Sequence, residues 1–127
     1  MSKKILIIED YANIVEVLSM RLRSMGYAVV SARDGLEGFN SAKRENPDLI
    51  ILDILLPKMS GYKVCRLLKF DSKYKHIPII MLTSRETKRH EQIGKESGAD
   101  AYVYKSDQKG TLLKLIRKYL EEKQELA

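Results

Sequence analysis

Acidic residues close two of the most apolar runs in this 127-residue chain. Ile5-Leu6-Ile7-Ile8 leads into Glu9-Asp10, and Leu49-Ile50-Ile51-Leu52 ends in Asp53, with Pro57 and Gly61 shortly after. A third run, Ile79-Ile80-Met81-Leu82, ends in Thr83-Ser84, and Lys105 follows a fourth, shorter stretch. Near-continuous apolar runs of this length read as strands buried on both faces of a parallel sheet. Ligands of open parallel sheets bind outside the carboxyl ends of the strands, where strand order reverses. If the first strand lies beside the third, Glu9, Asp10 and Asp53 converge there. Like charges so close cannot all stay ionised in a partly buried pocket unless a cation neutralises them. An all-oxygen donor set without His or Cys selects a hard cation such as Mg²⁺, and such sites mostly serve phosphate chemistry. Lys105 adds a cation that can contact an anion, and Thr83 adds a hydroxyl donor. Asp53 is then placed to act as a nucleophile on a phosphoryl group, giving an acyl phosphate on the protein itself.

The elements that must deliver these residues alternate regularly. Strands are expected near 4–8, 27–31, 48–53, 78–83 and 101–105, and helices near 12–25, 35–45, 60–70, 86–97 and 108–124. Five such units imply a parallel sheet covered on both faces. Ile14, Val17, Leu18, Leu22 and Met25 recur at helical spacing and stop at Gly26, which is suited to a helix C-terminus. Asp34, Ser60 and Asp107 stand where N-caps belong. The fourth helix offers little to bury beyond Ile93 and is expected to be the least stable.

Length and composition bound the remaining choices. The chain fits one domain over 1–127, with a core over about 3–120 and a polar helical tail over about 121–127. Its apolar stretches are far shorter than the ~20 residues of a membrane span. The single Cys65 excludes an internal disulfide, and no secretory leader is evident, so the cytoplasm is expected. The net charge of +6 is uneven: residues 1–57 carry 7 basic and 8 acidic side chains, residues 58–127 carry 16 and 9. Lys63, Arg66, Lys69, Lys73 and Lys75 lack the interleaved aromatics that stack on bases, so a solvated face or an acidic protein partner is favoured over nucleic acid.

Glu9-Asp10, Asp53 with Pro57 and Gly61, Thr83-Ser84, Gly98-Ala99-Asp100 with Tyr102, and Lys105 stand in the order and spacing of the receiver domain of two-component response regulators, which the chain resembles along essentially its whole length. The resemblance implies a flavodoxin-like (βα)5 α/β fold, a doubly wound five-stranded parallel sheet of order 2-1-3-4-5. It implies that Asp53 accepts phosphate from a phosphohistidine on a sensor histidine kinase or phosphotransfer protein. Asp10 would bind Mg²⁺ directly, Glu9 directly or through water, and the Leu55 carbonyl would complete the protein ligands. Lys105 and Thr83 would contact phosphate oxygens, and Tyr102 would swing inward. The face built from the fourth helix, fifth strand and fifth helix would change shape for a downstream protein or effector domain; a phosphorylation-dependent dimer through that face stays open.

Two features depart from the family pattern. Lys105 is followed by Ser106 where a cis-proline is usual, so a trans bond and a reshaped loop are expected. Ser84 replaces the usual small residue, and an apolar Leu55 with a long Arg85 is expected to slow the hydrolytic water and lengthen the phosphorylated lifetime. Taken alone, each site residue has a blander reading: Asp10 as an N-cap, Thr83 as a strand residue, Lys105 as a solvated lysine, Tyr102 as sheet filler. Cys65 reads as a core residue, and His76 and His90 as surface residues. The main alternative function is a pseudo-receiver that binds partners without being phosphorylated. A metal-dependent aspartyl phosphatase of another family lacks its second aspartate, since Leu55 stands there, and a flavin carrier would find its phosphate repelled by Glu9-Asp10.

Overall fold

Three strands are apolar on every side and must lie inside the sheet. β1 (Lys4–Ile8), β3 (Leu49–Asp53) and β4 (Ile79–Thr83) are almost completely buried in the computed structural model, whereas β2 (Ala28–Ala32) and β5 (Ala101–Tyr104) are partly exposed. The structure describes residues 2–84, 88–105 and 108–121. All four pairings are parallel, and the order is β2-β1-β3-β4-β5, so the apolar strands are central and the two less apolar ones are edges, as the sequence pattern requires.

The helices are α1 (Ala12–Ser24), α2 (Gly35–Glu45), α3 (Gly61–Lys69), α4 (Lys88–Glu96) and α5 (Leu113–Leu120). Their ends follow from local chemistry. α1 stops in a Schellman arrangement: Gly26 at φ 96° donates to the Arg23 carbonyl, Tyr27 donates to the Leu22 carbonyl, and both Leu22 and Tyr27 are buried. The Asp34 side chain caps α2 by accepting from Glu37 N–H at 2.7 Å, and Ser60 Oγ caps α3 by accepting from Lys63 N–H at 3.3 Å. Asp10 does not cap α1, whose N-cap is Tyr11 with no side-chain bond. A π-helical turn, Gln108–Leu112, precedes α5, where a plain helix was expected. The expected cap Asp107, the Lys105–Ser106 bond, Arg85 and the tail 122–127 lie outside the described residues.

The sheet divides two apolar clusters according to the two-residue alternation of its strands. On one side Ile5, Ile7, Leu49, Ile51, Ile80 and Val103 pack with Leu18 and Leu22 of α1 and Ile116 and Leu120 of α5. On the other, Leu6, Ile8, Ile50, Leu52, Ile79 and Met81 pack with Ala42 of α2 and Val64, Cys65 and Leu68 of α3. Cys65 is a wholly buried free thiol, which burial pushes above its usual pKa. Among the described residues no helix is long and apolar enough to cross a membrane.

Candidate functional site

Register decides which residues meet at the carboxyl edge. Ile8 lies opposite Leu52 and Asp53 opposite Leu82, so Glu9 and Asp10 leave β1 at the level where β3 ends, one strand away from it. Asp53 continues the face of Leu49 and Ile51 toward α1 and α5. Thr83 continues the face of Ile79 and Met81 and is buried at the adjacent strand end. Lys105 follows β5 and reaches back across the sheet edge.

The chain after Asp53 is held close to it. Gly61 N–H donates to the Ile54 carbonyl at 2.8 Å, and a Cβ at Gly61 would stand 2.0 Å from the Asp53 carbonyl oxygen, so no larger residue fits there. The loop is also fastened to α2: Gly35 N–H donates to the Pro57 carbonyl at 3.1 Å, and Lys58 pairs with Asp34 at 3.6 Å. Both contacts brace the loop from outside the pocket.

One carboxylate oxygen from each of Glu9, Asp10 and Asp53 lies within 4.8 Å of the other two. Lys105 Nζ approaches Glu9 Oε1 at 2.6 Å and Asp53 Oδ2 at 3.4 Å, and all three side chains are largely buried. Glu9 Oε1 has no partner of good hydrogen-bond geometry, so its approach to Lys105 is an ion pair rather than an aligned bond. The second oxygen, Oε2, accepts from Tyr11 N–H at 3.2 Å. Burial pushes the Glu9 carboxyl up to about 7; the Lys105 ammonium beside it opposes this and the Asp53 charge adds to it. Burial alone would lower the Lys105 ammonium, but its close contact with Glu9 and the charges of Asp53 and Glu9 outweigh that and hold it above its ordinary value.

The donor set fits a divalent cation on two counts. Three carboxylates against one ammonium leave two negative charges when all are ionised, and Oδ1 of Asp10 is buried with no hydrogen-bond partner among the described residues. A buried carboxylate oxygen left bare is costly, and a hard ion satisfies it.

Of the residues singled out from sequence, Glu9, Asp10, Asp53 and Lys105 are brought together, and Thr83 ends the neighbouring strand. Leu55 lies two residues past Asp53 with its side chain half exposed. Tyr102 stands apart from the carboxylates: its ring lies against Gly94 of α4 and edge-on to Tyr104, with centroids 5.7 Å apart, and its hydroxyl is buried. Sequence reasoning missed Tyr11, whose exposed ring places its centroid 5.2 Å from Lys105 Nζ. The available signal was an aromatic directly after an acid pair at a strand end.

Comparison with known proteins returns a consistent likeness. Residues 5–117 match the response regulator receiver domain. The alkaline phosphatase synthesis transcriptional regulatory protein PhoP of Bacillus subtilis is 42% identical over 105 residues, covering 83% of this chain and 43% of that protein. The probable transcriptional regulator ycf27 of Porphyridium aerugineum is 45% identical over 103 residues, covering 81% of this chain and 42% of its own length. The chain therefore spans less than half of these relatives. Among solved structures, the chemotaxis response regulator CheY4 of Vibrio cholerae superposes with a TM-score of 0.86 at 33% identity, covering 94% of this chain and all of that one. A CheY-like receiver domain protein of Methanospirillum hungatei gives 0.89 at 28% identity over the full length of both.

Proposed function

The chain belongs to the response regulator receiver domain family, a family of signalling proteins, and on that premise we propose that residues 1–127 form one receiver domain working as a phosphorylation-gated switch with Asp53 as acceptor. The observation that carries this reading is the Asp53 carboxylate itself: it shares one rim with Glu9 and Asp10 and has Lys105 Nζ 3.4 Å from its Oδ2.

The donor is a phosphohistidine of a sensor histidine kinase or phosphotransfer protein. An oxygen of Asp53 attacks phosphorus, the bond from phosphorus to the imidazole nitrogen breaks, and the nitrogen leaves as neutral imidazole after taking up a proton. Lys105 offsets the charge that develops on the phosphoryl oxygens, and the Thr83 hydroxyl donates to one of them. Asp10, Asp53 and the Leu55 carbonyl, with Glu9 directly or through water, would hold Mg²⁺, which would supply charge neutralisation there. Burial of Glu9 and Asp53 beside Lys105 keeps these electrostatic contacts strong because little water screens them. The chain's own chemistry is confined to slow self-phosphorylation and slow hydrolysis, and its role is signalling rather than turnover. A shift at Thr83 is passed to Tyr102 and so to the α4-β5-α5 face, where a downstream protein or effector domain reads it. The cytoplasm, where sensor kinases present their phosphohistidine, is the compartment this role requires.

The test is a mass measurement after incubation with acetyl phosphate and Mg²⁺. Wild type is expected to gain one phosphoryl group, and the gain is expected to vanish in Asp53→Asn and with chelator. A gain that survives in Asp53→Asn would place the acceptor elsewhere, and no gain in wild type under any divalent cation would favour a binding module that is not phosphorylated.

A further inference from the structure

α3 has a second face that the fold does not use. Val64, Cys65 and Leu68 point into the core and are wholly buried. Lys63, Arg66, Leu67 and Phe70 follow the i, i+3, i+4, i+7 spacing of a single outward stripe. On that stripe Phe70 is 76% exposed and Leu67 40% exposed, an amount of bare apolar surface that a solvated helix face does not call for. The stripe is the floor of an open groove of about 890 Å³ lined otherwise only by its neighbours Ser60, Tyr62, Asp71 and Ser72. A smaller cavity of about 230 Å³ shares Tyr62 and Arg66 and continues the groove toward Ile93, Glu96 and Ser97 at α4, where Glu96 Oε1 accepts from Gln92 Nε2 at 3.1 Å. None of the residues at the carboxylate rim lines either.

Of the charges flanking the apolar floor, the two cations are uncommitted, while the acids Asp71 and Glu96 each hold a hydrogen bond. Lys63 and Arg66 enter no ion pair among the described residues. Lys69, one turn on, differs: its Nζ donates to Asp100 Oδ2 at 2.7 Å and to the Lys75 and Ile77 carbonyls, so it is a strut between α3 and the start of β4. Asp71 Oδ1 is likewise engaged, accepting from Lys73 N–H at 2.8 Å. An occupant that complements this groove must therefore bring apolar anchors for Leu67 and Phe70 and negative charge for Lys63 and Arg66.

We propose that the outer face of α3 docks an acidic amphipathic segment of a partner protein, its apolar side chains seated on Leu67 and Phe70 and its carboxylates on Lys63 and Arg66. A nucleic acid fits less well, because two free cations one helical turn apart, with Asp71 in the lining, do not make a phosphate track. A helix laid in a groove by evenly spaced anchors is a recurrent recognition mode, and rim charges of this kind set its orientation and partner choice.

The test uses a fluorescein-labelled synthetic helix of about four turns, with Leu and Phe on one face and Glu on the other, titrated with the full chain by anisotropy. Its controls are the same peptide with Lys for Glu and a labelled oligothymidylate. The acidic peptide is expected to bind, with amide shifts confined to residues 60–72 and the α4 side of the groove. Phe70→Ser, Lys63→Glu and Arg66→Glu are each expected to weaken it by about tenfold, and the double charge reversal is expected to prefer the Lys peptide. All three positions are exposed, so unchanged melting curves and an undiminished phosphoryl gain on Asp53 separate loss of docking from loss of fold or of acceptor chemistry. If Phe70→Ser fails to fold, the charge reversals carry the test. Equal binding of acidic and basic peptides, indifference to the charge reversals, shifts on another face, or tighter binding of oligothymidylate would each overturn the proposal.

Discussion

Glu9 carries a large electrostatic cost in the carboxylate rim. Its carboxyl sits at about 7 in the folded protein against an ordinary value of 4.5. A group whose folded value is raised contributes stability that is complete below its unfolded value and is lost as pH climbs through the folded one. Between about pH 5 and about pH 8, with chelator present, wild type is therefore expected to lose ground to Glu9→Gln, by on the order of 3 kcal/mol at most. Mg²⁺ needs the ionised form, so its stabilising effect on wild type is expected to grow over the same interval. Thermal melts of both proteins with and without Mg²⁺ check this; a difference independent of pH would show that Glu9 is not the group that titrates. The acids themselves were legible because each ends an apolar run. That Lys105 comes nearer to Glu9 than to Asp53, and that Tyr11 stands over it, was not legible, since both depend on rotamers of residues distant in sequence.

At the scale of elements, α4 and β5 are coupled through one tight contact. A Cβ on Gly94 would stand 2.5 Å from Cδ2 of Tyr102, so α4 approaches β5 closely only because position 94 has no side chain. Gly94→Ala gains up to about 1 kcal/mol of helix propensity and loses about 1–3 kcal/mol to overpacking. Only a double-mutant cycle separates those terms. With Tyr102→Ala in place the overpacking disappears, and denaturant unfolding is expected to show a coupling of at least about 1 kcal/mol. Additivity within about 0.5 kcal/mol would mean that α4 and β5 do not sense each other through Tyr102, and would remove the route from Thr83 to the α4-β5-α5 face. Most element boundaries were readable to within a residue or two, because near-continuous apolar runs, helical spacing and the caps Asp34, Ser60 and Gly26 agree with one another. The π-helical turn before α5 was not, because one extra residue in a helix leaves no periodic mark over five residues.

For the whole molecule, the placing of the apolar strands at the centre follows from composition, since a strand without a polar face has to be covered on both sides, whereas the order β2-β1-β3-β4-β5 was implied only by the family resemblance. The charge asymmetry was harder to read. The basic second half was expected to be a solvated face or to meet an acidic protein partner, and neither expectation distinguished Lys69, a structural strut, from Arg66, beside which Phe70 stands exposed. A helix is read from sequence by its strongest apolar stripe, and on α3 the stripe Val64, Cys65 and Leu68 conceals the weaker outward one. The central claim, that the sheet's carboxyl edge is built to hold a phosphoryl group on Asp53 beside a divalent cation, is tested most directly by a crystal structure with Mg²⁺ and beryllofluoride. Beryllium is expected on an Asp53 carboxylate oxygen, with Lys105 and Thr83 on its fluorides and Mg²⁺ on Asp10 and Asp53. A fully formed rim with beryllofluoride bound elsewhere, or with Mg²⁺ absent from Asp10 at saturating concentration, would contradict it.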